Sequence, residues 1–306
     1  ILVGDDADVD IFISGEAELF DAEEAELTRE ELDSMTARIK DKIKGQDNAV
    51  DPVMDGVKRM ATGYSQHQVF LLAGKTGRGK TYLPELLGQE YGFHRKFECA
   101  NFANGHEYNS ILGAPPGYSG HTEVTEVAKM AEESSQWVLV FDEIEKADPK
   151  FFNFLLNWLD EGTITDANSV ECDFSDSLIF LTTNQGMRDA ASVKSLGFAA
   201  NTATQEDKNA AIVDSLKKHF SPEFMNRNAE VVLFDDLDLE DILEIVKVEL
   251  ATYPVKKTPS LVKYIADQAY SDEYGARAIR RWISRNIGNP LADIKLDRKK
   301  PTSGRL

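Results

Sequence analysis

The residues best placed to do chemistry lie in Gly74-Lys75-Thr76-Gly77-Arg78-Gly79-Lys80-Thr81, a complete Gly-x-x-x-x-Gly-Lys-Thr phosphate-loop pattern. Glycines at these positions let backbone N–H groups turn inward around phosphate oxygens that side chains would obstruct. Lys80 brings a positive charge to the β- and γ-phosphates, and the Thr81 hydroxyl is a ligand for Mg²⁺. Further along, Phe141-Asp142-Glu143 closes an apolar run with two acids. Asp142 is suited to holding Mg²⁺ through water, and Glu143 to polarising an attacking water as general base. An acidic helix start gives the same dipeptide, but a phosphate loop upstream favours the chemical reading. The ligands expected are therefore a nucleoside triphosphate and Mg²⁺.

Such residues need a rigid frame. Val69 to Ala73, directly before the loop, is a short apolar run of the kind that forms a buried parallel strand. Similar runs occur at Lys96-Phe97-Glu98-Cys99-Ala100, Trp137 to Phe141, Ser177 to Asn184 and Val231 to Phe234, with helical stretches between them. Asp142 and Glu143 then sit at the carboxyl end of a strand, where α/β sheets place their ligands. The pattern predicts an α/β fold, a central parallel sheet between helices, followed by a small C-terminal α-helical lid domain. Boundaries are expected at 1–36 (an acidic segment or linker), 37–234 (the nucleotide-binding domain) and 235–306 (the helical domain). Gly45 is expected to end one helix and Asp47 or Asn48 to cap the next. Pro84, early in the helix after the phosphate loop, predicts a local distortion there.

Composition narrows the partners. The 306-residue chain carries a net charge of −19, with 34 Lys and Arg against 53 Asp and Glu. Tracking nucleic acid requires clustered Lys and Arg, so no nucleic-acid partner is expected. Only Cys99 and Cys172 are present, too few for a disulfide framework and without metal-ligand spacing. No segment has the length and apolarity of a membrane span, and a cytoplasmic setting is expected. Beginning at Ile1, without methionine, the sequence reads as a piece of a longer chain.

Several motifs follow one another in a telling order. They are Gly45-Gln46, the phosphate loop, Gly113-Ala114-Pro115-Pro116-Gly117-Tyr118 and Phe141-Asp142-Glu143-Ile144-Glu145-Lys146-Ala147. Leu181-Thr182-Thr183-Asn184, Ser221-Pro222-Glu223-Phe224-Met225-Asn226-Arg227 and Gly275-Ala276-Arg277 come after them. In this order they resemble the AAA+ ATPases, and within them the Clp family of protein unfoldases, most closely the second ATPase module of the ClpA and ClpC type. The resemblance implies a ring of subunits, a hexamer by family expectation. It implies that Asn184 is the first sensor, orienting the hydrolytic water, and that Arg277 is the second, reaching from the helical domain. Arg227 would be the arginine finger acting on a neighbouring subunit's nucleotide, and Ile43 would pack near the adenine.

The same resemblance makes Gly117-Tyr118-Ser119-Gly120 the pore loop that grips a translocating protein chain, with Ser119 where the family usually has a branched apolar residue. Leu196-Gly197-Phe198 falls where protease-coupled members carry a loop that docks into a ClpP-type peptidase. Two further departures are Lys75, where proline is common, and Arg78, where a small apolar residue is common. Both are expected to add positive charge beside the phosphates. The function implied is an ATP-hydrolysing unfoldase that threads unfolded or tagged proteins through a ring pore and feeds a ClpP-type peptidase. The alternatives are a ClpB-like remodelling chaperone without a protease and a non-catalytic subunit that modulates a host ring.

Overall fold

The computed structural model describes residues 27–104, 107–114, 123–187, 205–220, 224–225 and 229–298. Thr28 opens the first helix with a capping box. Its hydroxyl accepts the Glu31 N–H at 3.3 Å, and the Glu31 carboxylate accepts the Thr28 N–H at 2.9 Å. Helix α1 (Arg29–Lys42) buries Met35 and Ile39, so packed structure begins ahead of the boundary expected at 36/37. Gly45, at φ +70°, takes the left-handed turn into α2 (Asp47–Ala61). The residue capping α2 is Gln46 rather than Asp47 or Asn48. Its amide is directed elsewhere, donating to the Asp235 carbonyl at 3.1 Å and accepting the Asp235 N–H at 3.0 Å.

Five strands form one parallel sheet: β1 (Gln68–Ala73), β2 (His94–Glu98), β3 (Val138–Asp142), β6 (Leu178–Thr183) and β7 (Ala229–Leu233), in the order β2-β3-β6-β1-β7. Every residue of β3 and β6 is buried, as near-continuous apolar runs covered on both faces require. One face is covered by α1, α2 and α3 (Tyr82–Tyr91), with Phe70 stacked on Phe180 at 5.4 Å between centroids. The other carries the larger aromatic cluster, in which Phe97 stacks on Phe141 at 5.1 Å and Trp158 of α6 (Pro149–Glu161) meets Phe141 edge-on at 5.7 Å. Helices α4 (Asn109–Leu112) and α5 (Glu126–Glu133) pack on that side.

Strand β2 starts and ends two residues earlier than expected, because Cys99 and Phe102 bury themselves by turning into a 3-10 helix. A small hairpin, β4 (Thr163–Thr165) with β5 (Glu171–Asp173), has no counterpart in the sequence expectations; strands of three residues leave too little alternation to read. Its Asp166 accepts the N–H groups of Asn168 and Val170, each at 2.8 Å, and the Thr125 hydroxyl at 2.8 Å. Pro84 falls in the first turn of α3, where the expected distortion is confined. The Leu83 N–H reaches the Gly79 carbonyl at 2.9 Å, whereas Glu85 N to Thr81 O stretches to 3.4 Å.

After α7 (Gln205–His219) and β7, a separate apolar cluster starts at Leu237. It is built by α8 (Leu239–Leu250), α9 (Pro259–Ala269) and α10 (Ala276–Ile283), and a π-helical turn at Ser284–Gly288 leads into α11 (Asn289–Arg298). Each of α8 and α9 has a side-chain cap, from Asp238 and Thr258. Among the described residues no helix is long and apolar enough to cross a membrane.

Candidate nucleotide site

The loop after β1 and the carboxyl ends of β2, β3 and β6 line one cleft of about 340 Å³, closed on its far side by residues of α8 and α10. Between β1 and α3 the phosphate loop turns on Gly77 at φ +75° and Gly79 at φ +110°, conformations that side-chain-bearing residues rarely adopt. Gly74 is needed for space rather than φ, since a Cβ there would sit 2.8 Å from Phe234 Cβ. Ile43 is buried against the loop and borders the cleft.

Lys80 is buried, and its Nζ donates to the carbonyls of Gly74 and Lys75 at 2.7 and 2.9 Å and to Asn184 Oδ1 at 2.8 Å. Burial pulls its proton affinity down and nearby Arg277 adds to this. Asp142, Glu145 and Glu143 oppose it, leaving a pKa of about 8. Thr81 Oγ1 donates to Asp142 Oδ1 at 3.1 Å, and Thr182 Oγ1 donates to the same oxygen at 2.5 Å. The other oxygen of Asp142 meets Lys96 Nζ at 2.8 Å. Burial pushes the Asp142 carboxyl up, but the bonds from Lys96, Thr182 and Thr81 outweigh it and hold it below the usual carboxylate range.

Glu143 follows with φ 56° and ψ 54°, a left-handed backbone that is uncommon outside glycine, asparagine and aspartate. Its N–H donates to Thr182 Oγ1 at 3.0 Å, and its carboxylate accepts from Asn184 Nδ2 at 3.3 Å and from Lys146. Asn184 is held in turn by its own N–H, which donates to Glu145 Oε1 at 3.1 Å. Arg277, in the first turn of α10, is exposed and faces the cleft from the helical side.

The structure thus gathers Ile43, Thr76 to Thr81, Asp142, Glu143, Asn184 and Arg277 around one cleft. Lys75 and Arg78 behave differently from expectation. Lys75 Nζ binds Asp236 at 2.8 Å and Asp272 at 3.0 Å, and Arg78 binds Asp236 at 3.2 Å as well as Asp272. Their charge is met by carboxylates, so it is not simply added to the phosphate site. Tyr118 with Gly117, Ser119 and Gly120, Leu196-Gly197-Phe198 and Arg227 lie outside the described residues. Leu112 and Glu123 are tied to the β4–β5 hairpin: the Ala167 N–H donates to the Leu112 carbonyl at 2.9 Å, and Asn168 Nδ2 to the Glu123 carbonyl at 3.1 Å.

Sequence reasoning missed Tyr82, Glu85, Lys96, Glu98, Glu249 and Arg280, all of which line the cleft. Lys96 and Glu98 carried a usable signal, being charged residues at the carboxyl end of a strand. Arg280 carried none, because it arrives with the helical unit, bonded to Glu249 at 2.9 Å and lying over the Tyr82 ring at 5.4 Å.

A parallel sheet with its phosphate loop on an inner strand, and its cleft closed by a separate helical unit, is the AAA+ arrangement of P-loop NTPases. Family comparison narrows this. The profile described as AAA domain (Cdc48 subfamily) matches residues 65–231, and that of the C-terminal, D2-small domain of ClpB protein matches residues 237–305. The chain belongs to the Clp family of AAA+ ATPases. It is 30% identical over 295 residues to the chaperone protein ClpB of Lactococcus lactis subsp. cremoris, covering 91% of this chain and 34% of that protein. With ClpB of Staphylococcus epidermidis it is 32% identical over 294 residues, covering 90% and 33%. The chain therefore spans about a third of the length of the curated relatives it matches. Among solved structures, the S. cerevisiae Hsp104:casein complex in its extended conformation superposes with a TM-score of 0.78 at 27% identity, covering 90% of this chain and 50% of that one. The S. cerevisiae Hsp104-ADP complex gives a TM-score of 0.77 at 27% identity, covering 88% and 49%.

Proposed function

We propose that the chain is the ATP-hydrolysing module of a ring-forming protein remodeller of the ClpB and Hsp104 kind. The observation that carries this is the cleft itself, in which Lys80, Asp142, Glu143 and Asn184 from the sheet meet Arg277 from the helical unit. The glycine cradle fits a phosphate chain, since Gly77 and Gly79 take positive φ and carry no side chains to obstruct inward-turned N–H groups. Thr81 and Asp142 fit Mg²⁺, because they offer a hydroxyl and a carboxylate oxygen to a cation that prefers oxygen. Among the described residues no group of three or more His, Cys, Asp or Glu could hold a metal by itself, so the ion would be shared with phosphate oxygens. When bound, Mg²⁺ neutralises charge developing on the β- and γ-phosphates.

The chain's own residues supply the rest. Lys80 Nζ exchanges its carbonyl partners for phosphate oxygens. Glu143, braced by Lys146 and Asn184, accepts a proton from the attacking water through its carboxylate. Asn184 orients that water. Arg277 contacts the phosphates from the helical side, so that hydrolysis is felt as a movement of one unit against the other. Arg227 belongs to the same reading as the donor to a neighbouring subunit's nucleotide, and Tyr118 as the residue that grips the protein chain. A hexamer in a cytoplasmic setting is part of the proposal.

The remodeller is preferred over the peptidase-feeding reading because the relatives are named chaperones. The ClpP-type partner expected from Leu196-Gly197-Phe198 finds no support in them. The test is unfolding of fluorescein-labelled casein or a fluorescent fusion protein with ATP, with and without a ClpP-type peptidase. ATP-driven unfolding without the peptidase, lost in Tyr118→Ala and in Glu143→Gln, supports the proposal. Peptidase-dependent degradation lost in Phe198→Ala would restore the protease-coupled reading. Absence of ATP turnover in the assembled protein would sink both motors.

A further inference from the structure

The apex of the phosphate loop is bolted to the helical unit. The Gly77 carbonyl accepts the Ala276 N–H at 3.0 Å, at the first residue of α10 and one residue before Arg277. Contact here is so close that a Cβ on Gly77 would lie 2.0 Å from the Tyr274 carbonyl oxygen, and one on Gly275 would lie 2.5 Å from the Gly77 carbonyl oxygen. Beside this bare-backbone contact stands Arg78, whose side chain is 0% exposed although it belongs to a loop expected to face nucleotide. Its guanidinium donates to the Tyr270 hydroxyl at 3.1 Å, to Asp236 Oδ1 at 3.2 Å and to Asp272, whose backbone carbonyl it also reaches at 3.3 Å. Lys75 donates to both of the same carboxylates. Asp236 belongs to the connection between β7 and α8, and Asp272 to the turn leading into α10. The neighbouring Asp235 is held from the opposite side by Gln46 and Asn48. The interdomain connection is thus gripped at consecutive residues, by the α1–α2 turn and by the phosphate loop.

We propose that Arg78, supported by Lys75, is a positioning residue that keys the phosphate loop to Asp236 and Asp272, so that loop and Arg277-bearing helix are held in one relative position until the key opens. A guanidinium suits this work because its rigid fork engages several acceptors at once and stays charged when buried. A carboxylate left buried opposite nothing is disfavoured, but Asp236 and Asp272 are 61% and 65% exposed and can return to water. The key can therefore open without stranding the acids. This inference rests on the nucleotide-site reading only for the role of Arg277; the coupling of loop to helix stands apart from it.

The test reads interdomain geometry directly. Spin labels at Thr62→Cys in the sheet domain and Lys263→Cys in the helical unit report their separation, and native Cys99 and Cys172 are buried from the label. The unsubstituted key should give one narrow distance distribution without nucleotide. Asp272→Ala and Arg78→Ala should each broaden it, because Asp272→Ala removes an acceptor shared by Arg78 and Lys75 and Arg78→Ala removes the donor to Tyr270, Asp236 and Asp272, and Arg78→Lys should recover it in part. In parallel, affinity for a fluorescent ATP analogue should fall by a similar factor, about threefold, in Asp272→Ala and in Arg78→Ala, since neither is proposed to touch phosphate. An unchanged distribution in Asp272→Ala, with affinity lost only in Arg78→Ala, would overturn the key and make Arg78 a direct phosphate ligand. Failure of the protein to bind ATP would remove the nucleotide reading, yet the distance distributions would still decide the coupling.

Discussion

The two walls of the cleft are built by opposite means. On the sheet side the working groups are buried or half-buried, fixed near strand ends and bonded to one another: Lys80 to Asn184, Thr81 and Thr182 to Asp142, Asn184 to Glu143. On the helical side Arg277 and Arg280 are exposed; Arg280 pairs with Glu249 inside the helical unit and reaches across the gap only to lie over the Tyr82 ring. Preorganised dipoles in a water-poor setting do most for the chemical step. Charged groups on a body that can shift do most for communicating it. On the proposed function, chemistry and movement are carried by separate walls, and each can be broken without the other.

The largest effect is expected from Glu143→Gln, which keeps the shape of the fixed wall and removes its proposed base. Turnover should fall by roughly 10²–10⁴-fold while ATP affinity holds, a result checked by steady-state hydrolysis beside direct binding. Arg277→Ala attacks the movable wall and should lower turnover by about tenfold, with affinity within about threefold, as removal of one charged hydrogen bond implies. If Arg277→Ala instead abolished binding, the division between the walls would be wrong.

A pH titration sharpens the same contrast. Phosphate binding needs Lys80 charged, and in the free protein it releases its proton near pH 8. ATP affinity measured at equilibrium should be fully present below that pH and weaken as pH rises through it. For the free protein's stability the sign is opposite. The unfolded chain holds this proton up to the ordinary lysine value of 10.5, so stability from this group rises between about pH 8 and that value. The smallest effect belongs to Glu249→Ala, which frees Arg280 from a partly exposed pair. A stability loss below ~1 kcal/mol in denaturant melts is expected.

The sheet wall was readable because its residues are adjacent in the chain. Gly74 to Thr81 is one uninterrupted pattern, Asp142-Glu143 another, and both abut apolar runs that form strands. What escaped was whatever register or docking brings together. Lys96 reaches Asp142 only because β2 pairs with β3 so that Glu98 lies beside Asp142. Asp236 and Asp272, ordinary surface acids in the sequence, meet Lys75 and Arg78 only once the helical unit folds back on the loop. The position of Gln46 was similarly hidden: in sequence it precedes two better capping residues, and only the fold turns its amide toward Asp235.

The left-handed backbone at Glu143 has a consequence for how this protein would respond to selection for heat resistance. Such a conformation in a residue other than glycine is disfavoured by of order 1–3 kcal/mol, and the carboxylate of Glu143 is only partly buried in return. Glycine at that position would relieve the strain, so Glu143→Gly should match or exceed the melting temperature of the parent while hydrolysing nothing. A library screened for folding alone would then enrich dead enzymes at this codon, and only a screen that demands work from each variant would keep the glutamate.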